Sequence, residues 1–175
     1  MPNCCYNHAT ISHSDPEKIK QMQSAANEGN LFETFAPIGE WDYMKAIEQW
    51  GTKWDANVND VSSLSANELE LMFDTAWAPP IAFYDKLVEQ GFEISANYDE
   101  EGMAFIGRYS NEDGDVCFEY DFDDENWRLD IDDDEILSLL EDKYESWLDW
   151  KAMDEAYEDD DVDASDEEVN LEEEK

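Results

Sequence analysis

The chain has 175 residues, and its 48 Asp and Glu against ten Lys and Arg give a formal net charge of −38 at pH 7. This charge excludes direct binding to nucleic acid or to anionic membranes, since both require clustered Lys and Arg. Hydrophobic residues make up 42% and aromatic residues 13% of the chain, which is enough for a folded core although the net charge alone would favour disorder.

Apolar periodicity and capping signals divide the chain into strands and helices. The predicted elements are, in order, a strand at 3–12, a helix at 16–29, an irregular stretch at 30–40, a short helix at 41–50, a loop passing into a strand at 52–63, a strand at 68–75, a helix at 79–90, a strand at 92–98, strands at 102–110 and 115–123, and a helix at 132–157. This order predicts an α+β fold in which helices cover one face of an antiparallel sheet.

Local signals support several of these elements. Leu69, Leu71 and Phe73 alternate with acidic residues, which is the period of a half-buried strand. The pair Asp113-Gly114 lies between the predicted strands 102–110 and 115–123. It predicts a hairpin turn because Asp-Gly tolerates positive φ angles. In the first strand we expect Cys5 and Ile11 on the inner face.

The last third of the chain, 111–175, holds thirty Asp and Glu and four Lys and Arg. It differs from a purely solvating tail because aromatic residues are threaded through it as far as Tyr157. We therefore predict three regions: a ferredoxin-like α+β domain at 1–126, an acidic amphipathic helix at 127–158, and a disordered acidic tail at 159–175.

Three features that the sequence lacks bear on the cellular compartment. No window approaches the roughly 20 apolar residues that cross a bilayer. The N-terminus lacks the basic and apolar segments of a signal peptide. Three Cys, two of them adjacent at Cys4 and Cys5, do not make a disulfide framework. We expect a cytoplasmic protein.

Four local patterns carry a family resemblance: the segments 1–7 (MPNCCYN), 50–56 (WGTKWDA), 75–80 (TAWAPP) and 98–107 (YDEEGMAFIG). In this order they resemble the YubB-type proteins of phages and plasmids, over roughly residues 1–110. The resemblance implies a ferredoxin-like fold, an origin on a mobile element and no catalytic residues. Cys4 stands where that family usually has Trp.

Enzymatic and metal chemistry find little support in the sequence. Cys4 and Cys5 point to opposite faces of one strand, so together with His8 and His13 they do not close a tetrahedral metal site. No nucleophile–base signature or glycine-rich phosphate loop occurs. The run 121–126 begins like a calcium loop but has Asn126 where the sharp turn needs Gly. We expect no enzyme, no cofactor and no metal.

The spacing of carboxylates is the remaining signal. On the predicted strand 115–123, acidic residues at alternate positions share one face, and neighbouring positions on that face are about 6.8 Å apart. On the predicted helix, acidic residues recur every four positions, about 6 Å apart. Alternate phosphates of nucleic acid are also about 6.8 Å apart along the axis. The candidate phosphate-mimicking residues are Glu119, Asp121, Asp123, Asp124, Glu141, Glu145 and Asp149.

The first functional hypothesis is a phage- or mobile-element-encoded DNA mimic. Such a protein inhibits a host DNA-binding protein by occupying its basic nucleic-acid groove, and the resemblance favours a defence complex (restriction, CRISPR or nuclease) as the target in the host cytoplasm. In this hypothesis partner Lys and Arg meet the seven carboxylates, and association is fast and salt-sensitive.

Two other classes stay open. A non-enzymatic adaptor or assembly protein would bind its partner by burial, through the sheet or the face of Trp147 and Trp150, with the acids only keeping it soluble. A minor option is a small-molecule sensor that uses a pocket at the corner formed by residues 77–80, although that corner is more simply a strand-to-helix turn held by an aromatic.

Overall fold

A computed structural model describes the backbone of residues 3–166 and the side chains as far as Asp154. Six antiparallel strands form one sheet in the order β2-β3-β1-β4-β5-β6. The strands are β1 (Cys4–Ser12), β2 (Asn57–Ser65), β3 (Glu68–Ala76), β4 (Glu93–Glu100), β5 (Phe105–Ser110) and β6 (Gly114–Glu119).

In the described part of the chain, five α-helices and one short 3₁₀ helix accompany the sheet. The α-helices are α1 (Pro16–Glu28), α2 (Leu31–Phe35), α3 (Tyr43–Trp50), α4 (Ile81–Glu89) and α5 (Asp134–Asp166), and the 3₁₀ helix is Trp127–Asp130. Each predicted strand and long helix is present. The predicted α+β class, an antiparallel sheet with helices on one face and a long C-terminal helix, is confirmed.

The ferredoxin-like arrangement is formed by β2, β3, β1 and β4, which are adjacent in the sheet in this order. β1 and β2 run in the same direction and are joined through the helices α1 to α3, with β3 inserted between them. β3 and β4 are likewise joined through α4, with β1 between them. This is the split β-α-β pattern, and the hairpin strands β5 and β6 extend the sheet beyond β4.

The core lies between one face of this sheet and the helices. Alternate residues of β1, β3 and β4 point into it because neighbours along a strand point to opposite faces. The inner side chains of the sheet include Ile11, Leu71, Phe73, Ile94 and Ala96, and those of the helices include Met22, Phe32, Trp50, Phe83 and Leu87. The predicted inner residues Cys5, Ile11, Leu69, Leu71 and Phe73 are all buried, which confirms the period-two assignment.

The prediction that 30–40 is irregular was wrong in part, because α2 lies within it. Asn30 at the N-cap of α2 makes no side-chain capping bond. The backbone N–H groups of Phe32 and Glu33 instead donate to the carboxylate of Asp55, at 2.7 and 3.0 Å. The acceptor for the free N–H groups of this helix therefore comes from a residue more than twenty positions away, and no local capping signal announces it.

The predicted strand 115–123 is shorter in the structure, since β6 ends at Glu119. Phe105, the first residue of β5, pairs with Glu119, so the ladder has no partner strand beyond this point. One further backbone bond joins Tyr120 N–H to the carbonyl of Ala104 at 2.9 Å. Asp121, Asp123 and Asp124 consequently do not continue the strand, and the predicted strand row of carboxylates is reduced to Asp115 and Glu119 around Cys117.

The chain divides into two compact units, Met1–Asp121 and Phe122–Lys175. The first contains the whole sheet and α1 to α4. The second contains the 3₁₀ helix and α5, which begins with the carboxylate of Asp133 accepting from the N–H groups of Glu135 and Ile136, both at 3.1 Å. This cap places the start of α5 within two residues of the predicted start of the helix at 132.

The end of α5 lies beyond the predicted end of the amphipathic helix at residue 158. The helix continues to Asp166, and residues 167–175 lie outside the described part of the chain. The predicted disordered tail, 159–175, thus starts within α5 and ends outside the described residues, and its disorder stays a prediction. Within the described part, no helix is both long and apolar enough to cross a membrane.

Candidate functional surfaces

The seven candidate phosphate-mimicking residues are divided between the two units. Glu119 and Asp121 belong to the first unit, and the other five belong to the second. All seven are exposed in the structure. They comprise one strand residue (Glu119), three residues after β6 (Asp121, Asp123, Asp124) and three residues of α5 (Glu141, Glu145, Asp149).

The α5 residues form the most regular acidic row. Glu141, Glu145 and Asp149 lie on a continuous helix and are all exposed. Residues four positions apart lie on one side of an α-helix, at a rise of about 6 Å. The spacing expected from the sequence is therefore present on an accessible side of α5.

Some of the candidate carboxylates already have cationic or polar partners within the second unit. Asp123 accepts from the ammonium of Lys151 at 2.7 Å, and Glu141 from the guanidinium of Arg128 at 3.3 Å. Asp124 accepts from the backbone N–H of Asn126 at 2.8 Å, which is the local bond of a turn. These three side chains have structural contacts besides any contact with a partner.

The aromatic residues of the acidic region form a cluster in the second unit. The ring of Phe122 lies 5.2–5.9 Å from the rings of Trp127, Tyr144 and Trp147. The guanidinium of Arg128 lies 4.4 Å from the Trp127 ring centre. Trp147 therefore packs within its own unit, whereas Trp150, the other tryptophan of the predicted adaptor face, is 61% exposed.

A groove in the first unit lies on the helix-bearing side of the sheet, where β4, β5 and β6 extend past α4. Its volume is about 350 Å³. Most of its walls are apolar, and two carboxylates on β6 provide its charge. The lining residues are Gly51, Ala78, Pro79, Ile81, Tyr98, Phe105, Asp115, Cys117 and Glu119. Ala78 and Pro79 belong to the corner at residues 77–80, where the sensor hypothesis expects a small pocket. Trp77 does not line the groove.

The floor of the groove depends on the absence of a side chain at Gly107. Tyr98, Gly107 and Cys117 are successive partners across β4, β5 and β6. The Tyr98 ring lies across Gly107, where a Cβ atom would overlap it. Its hydroxyl thereby reaches β6 and donates to Asp115 at 2.6 Å. Gly107 is the last residue of the segment 98–107, which carries part of the family resemblance. The absence of a side chain at this position lets the Tyr98 ring cross β5.

Burial and the neighbouring carboxylates shape the chemistry of the groove. Burial raises the pKa of the Tyr98 hydroxyl far above its usual value, and the hydrogen bond to Asp115 raises it further. Burial also raises the pKa of the Cys117 thiol, and the charges of Asp115 and Glu119 add to the increase. At neutral pH the groove therefore offers a neutral phenol, a neutral thiol and two carboxylates, a set of groups that can attract a cation.

The corner at residues 77–80 is built differently from the expectation that an aromatic holds it. Trp77 has a left-handed backbone, with φ of 69°, and is 44% exposed. The corner is closed by the hydroxyl of Thr75, which donates to the carbonyl of Ala78 at 2.7 Å. The hydroxyl of Thr52 also bonds the backbone of Ala76. Hydrogen bonds and not the indole hold this corner, so Trp77 is available at the surface.

A second surface, here called the tryptophan surface, consists of Trp41, Trp54, Trp77 and Lys53. The rings of Trp41 and Trp54 are stacked, with centres 5.7 Å apart. The Lys53 ammonium lies 4.3 Å from the centre of Trp54 and 5.3 Å from that of Trp77. All three indoles are about half exposed. Trp54 and Trp77 lie in the segments 50–56 and 75–80, but the sequence pattern predicts a role only for Trp77, at the corner of residues 77–80.

The cysteines and histidines near the N-terminus do not converge. Cys4 is exposed and Cys5 is buried, as expected for neighbours on one strand. His8 bonds the carboxylate of Glu70 on β3 at 2.9 Å. Among the described residues, no group of three or more His, Cys, Asp or Glu could hold a metal ion.

Comparison with protein-family models identifies a family for this chain. A family model described as "Ferredoxin-like domain in Api92-like protein" matches residues 49–141, which is more than half of the chain. The matched segment begins in α3 and ends in α5, and therefore reaches further toward the C-terminus than the resemblance over residues 1–110. The resemblance to YubB-type proteins stays a prediction. No curated protein and no solved structure matches the chain.

Proposed function

The chain belongs to the family of ferredoxin-like domains in Api92-like proteins, and we propose that it acts as a non-enzymatic DNA mimic that occupies the basic nucleic-acid groove of a host protein. The observation that carries the proposal is the exposed row Glu141, Glu145 and Asp149 on α5. Its spacing of about 6 Å is close to that of alternate phosphates along a nucleic-acid strand.

The balance of charges supports the same function. An ordinary solvated helix face intersperses Lys and Arg among its acids, because like charges four residues apart destabilise a helix. Here two bases of the second unit are engaged by its own carboxylates, Arg128 by Glu141 and Lys151 by Asp123. Glu145 and Asp149 remain as negative charge directed at solvent. A surface of this kind attracts Lys- and Arg-rich partners and repels DNA.

The kind of target is the finer part of the proposal. The resemblance to YubB-type proteins of phages and plasmids favours an anti-defence role in the host cytoplasm, against a restriction, CRISPR or nuclease complex. Each of these targets binds DNA through a basic groove, which an acidic protein occupies without any catalytic step.

The test is competition between the chain and DNA for one purified target. Candidate nucleases and restriction or CRISPR complexes are bound to a labelled DNA duplex, and the chain is titrated in. The proposal expects displacement of the duplex by the wild type and reduced affinity as salt increases, since the contact is electrostatic. A chain that binds its target without displacing the duplex contradicts mimicry.

A charge-matched pair of variants locates the mimicking surface. The triple variant E141Q/E145Q/D149N removes the α5 row, and E40Q/E48Q/E112Q removes three exposed carboxylates of the first unit with the same change in net charge. Only the first variant should lose competition, by about tenfold or more if two or three charge-assisted contacts disappear. Equal loss in both variants would indicate a response to net charge alone.

A second candidate function is the adaptor, and one observation favours it. Leu148, Trp150 and Met153 of α5 are 43%, 61% and 60% exposed. Exposed Trp and Met side chains are typical anchors of protein interfaces. An adaptor would keep its partner in E141Q/E145Q/D149N and lose it in W150A, whereas a mimic would show the opposite pattern.

A further inference from the structure

We propose that the groove of the first unit is a binding site for an arginine side chain of the basic partner, with the guanidinium against Glu119 and Phe105. The groove combines an apolar lining with two carboxylates in its wall. The inference rests on the proposed function, because that function requires a partner rich in Lys and Arg. The partner then contacts the groove in addition to the acidic row of α5.

The shape of the groove suits one long side chain. Its volume, about 350 Å³, is at the lower end of the range for small-molecule sites, about 300–1,000 Å³. The rings of Tyr98 and Phe105 meet edge to face in its floor, with centres 6.2 Å apart. Pro79 and Ile81 provide the opposite wall. This lining matches the aliphatic stem and the flat, weakly hydrated head of arginine.

The carboxylates of the groove differ in how they are held. Asp115 is fixed by the Tyr98 hydroxyl at 2.6 Å. Glu119 lies four residues further along β6, about 13 Å away by the rise of a strand. Within the described residues its side chain has no hydrogen bond or ion pair, in contrast to Glu141 and Asp123. Glu119 is therefore the carboxylate available to an incoming cation, and Asp115 adds a fixed negative charge.

The pairing of the strands brings an aromatic ring to the same place. Phe105 and Glu119 are direct partners between β5 and β6. Directly opposed residues of an antiparallel pair have Cβ atoms about 4.5–5.5 Å apart. A guanidinium paired with Glu119 can thus stack on the half-buried Phe105 ring. Arginine gains from both contacts, whereas the compact, strongly hydrated ammonium of lysine gains mainly from the first.

Charge also excludes two other occupants. A second copy of this chain would bring a further net charge of −38 to an acidic groove, which opposes association. Anionic ligands such as nucleotides meet the same repulsion, since Asp115 and Glu119 carry the charge of the groove. A cationic side chain with an apolar stem is the occupant that both the charge and the lining accept.

The test uses the full chain and a single-residue probe. N-acetyl-arginine methylamide is titrated into ¹⁵N-labelled protein, and the amide signals of 105–107 and 115–119 are followed. Its neutral isostere N-acetyl-citrulline methylamide is the ligand control. We expect saturable shifts at these amides with arginine and none with citrulline. A parallel titration with spermidine measures binding of a flexible polyamine, which lacks the flat head.

Matched variants locate the contact. E119Q should weaken arginine binding about tenfold, because a charge-assisted hydrogen bond is lost. F105L should also weaken it, through loss of the ring face, and it provides an independent variant if E119Q disturbs the edge strand. E112Q, in the exposed turn of the same hairpin, should bind like the wild type.

The outcomes separate this inference from the proposed function. Absent or unsaturable shifts with arginine, equal binding of E119Q and E112Q, or stronger binding of spermidine than of arginine would overturn the arginine site, whatever the result of the DNA competition. Localised arginine shifts that E119Q weakens support the site even if the chain fails to displace DNA from any target. In that case only the mimic function fails.

Discussion

The hydroxyl of Thr52 bonds both backbone groups of Ala76: it donates to the carbonyl at 2.9 Å and accepts from the N–H at 3.1 Å. Both residues are buried. Thr52 belongs to the segment 50–56 and Ala76 to the segment 75–80, two of the patterns that carry the family resemblance. The bond joins the turn after α3 to the end of β3, next to the groove and the tryptophan surface.

Replacing Thr52 with Val should destabilise the protein by about 1–3 kcal/mol, since the isosteric side chain leaves two buried backbone groups without a partner. Urea unfolding followed by tryptophan fluorescence measures this difference. Thr52→Ser retains the hydroxyl and should recover most of the lost stability. If the valine variant unfolds at the wild-type urea concentration, the bond to Ala76 contributes little to the fold.

Gly107 should not tolerate a side chain. In Gly107→Ala the new methyl overlaps the Tyr98 ring, which must move and abandon its hydrogen bond to Asp115. We expect a loss of about 2–4 kcal/mol from overpacking and the lost bond together. Thermal unfolding measures it.

Tyr98→Phe separates the two contributions to the Gly107 effect. This variant removes only the hydroxyl, and with it the 2.6 Å bond to Asp115, so it should lose about 1 kcal/mol. Similar stabilities of the Gly107→Ala and wild-type proteins would mean that the tyrosine does not lie across β5.

Asp55 should stabilise α2 from a distance. Its carboxylate accepts from the N–H groups of Phe32 and Glu33 and from its neighbour Ala56 at 2.8 Å. Burial raises the pKa of this carboxyl, and the three N–H donors oppose the increase. Asp55→Ala should cost about 1–2 kcal/mol, as for loss of a helix cap, and should speed hydrogen exchange in 31–35.

Asp42→Ala is the matched control for Asp55, because it removes the local cap of α3, a 3.1 Å bond to the N–H of Lys45. Its effect on hydrogen exchange should be confined to the start of α3. Unchanged exchange in 31–35 after Asp55→Ala would argue that α2 holds its own N-terminus.

The three cysteines should react with a thiol reagent in a fixed order. In native protein at pH 8 we expect Cys4 to react first and Cys117, which is also exposed, more slowly, because partial desolvation and nearby carboxylates raise the pKa of the Cys117 thiol. Cys5 should react only after unfolding, since burial raises its pKa to about 12. Ellman titration with and without urea, together with C4S and C117S, assigns each thiol; three fast native thiols would contradict the burial of Cys5.

Alkaline pH should destabilise the fold. The native state holds the Cys5 proton more tightly than the unfolded chain, whose thiol pKa is 9.0. This contribution to stability is complete below pH 9 and is lost as pH rises toward 12. Tyr98 and Tyr84, whose pKa values burial also raises, act in the same direction. The urea midpoint should fall from pH 8 to pH 10.5, and less steeply in Cys5→Ala.

Elements that local chemistry specifies could be predicted before the fold was known. The alternation of Leu69, Leu71 and Phe73 identified β3, and the pair Asp113-Gly114 marked the turn between β5 and β6. The excess of acids and the four-residue spacing on α5 were also readable. Each of these signals depends on residues within one or two turns of each other, and such patterns survive in any tertiary context.

Features that depend on distant partners could not be predicted in this way, because they require the three-dimensional fold. Asp55 caps α2 across 23 positions, and the start of β5 at Phe105 ends β6 at Glu119. The groove exists because Tyr98 crosses Gly107 to reach Asp115. A carboxylate in the sequence carries the same charge whether it caps a helix, pairs with a lysine or faces a groove, and the strand register decides between these roles. The sequence therefore determined how much negative charge this protein has, and the fold determined which of it is available to a partner.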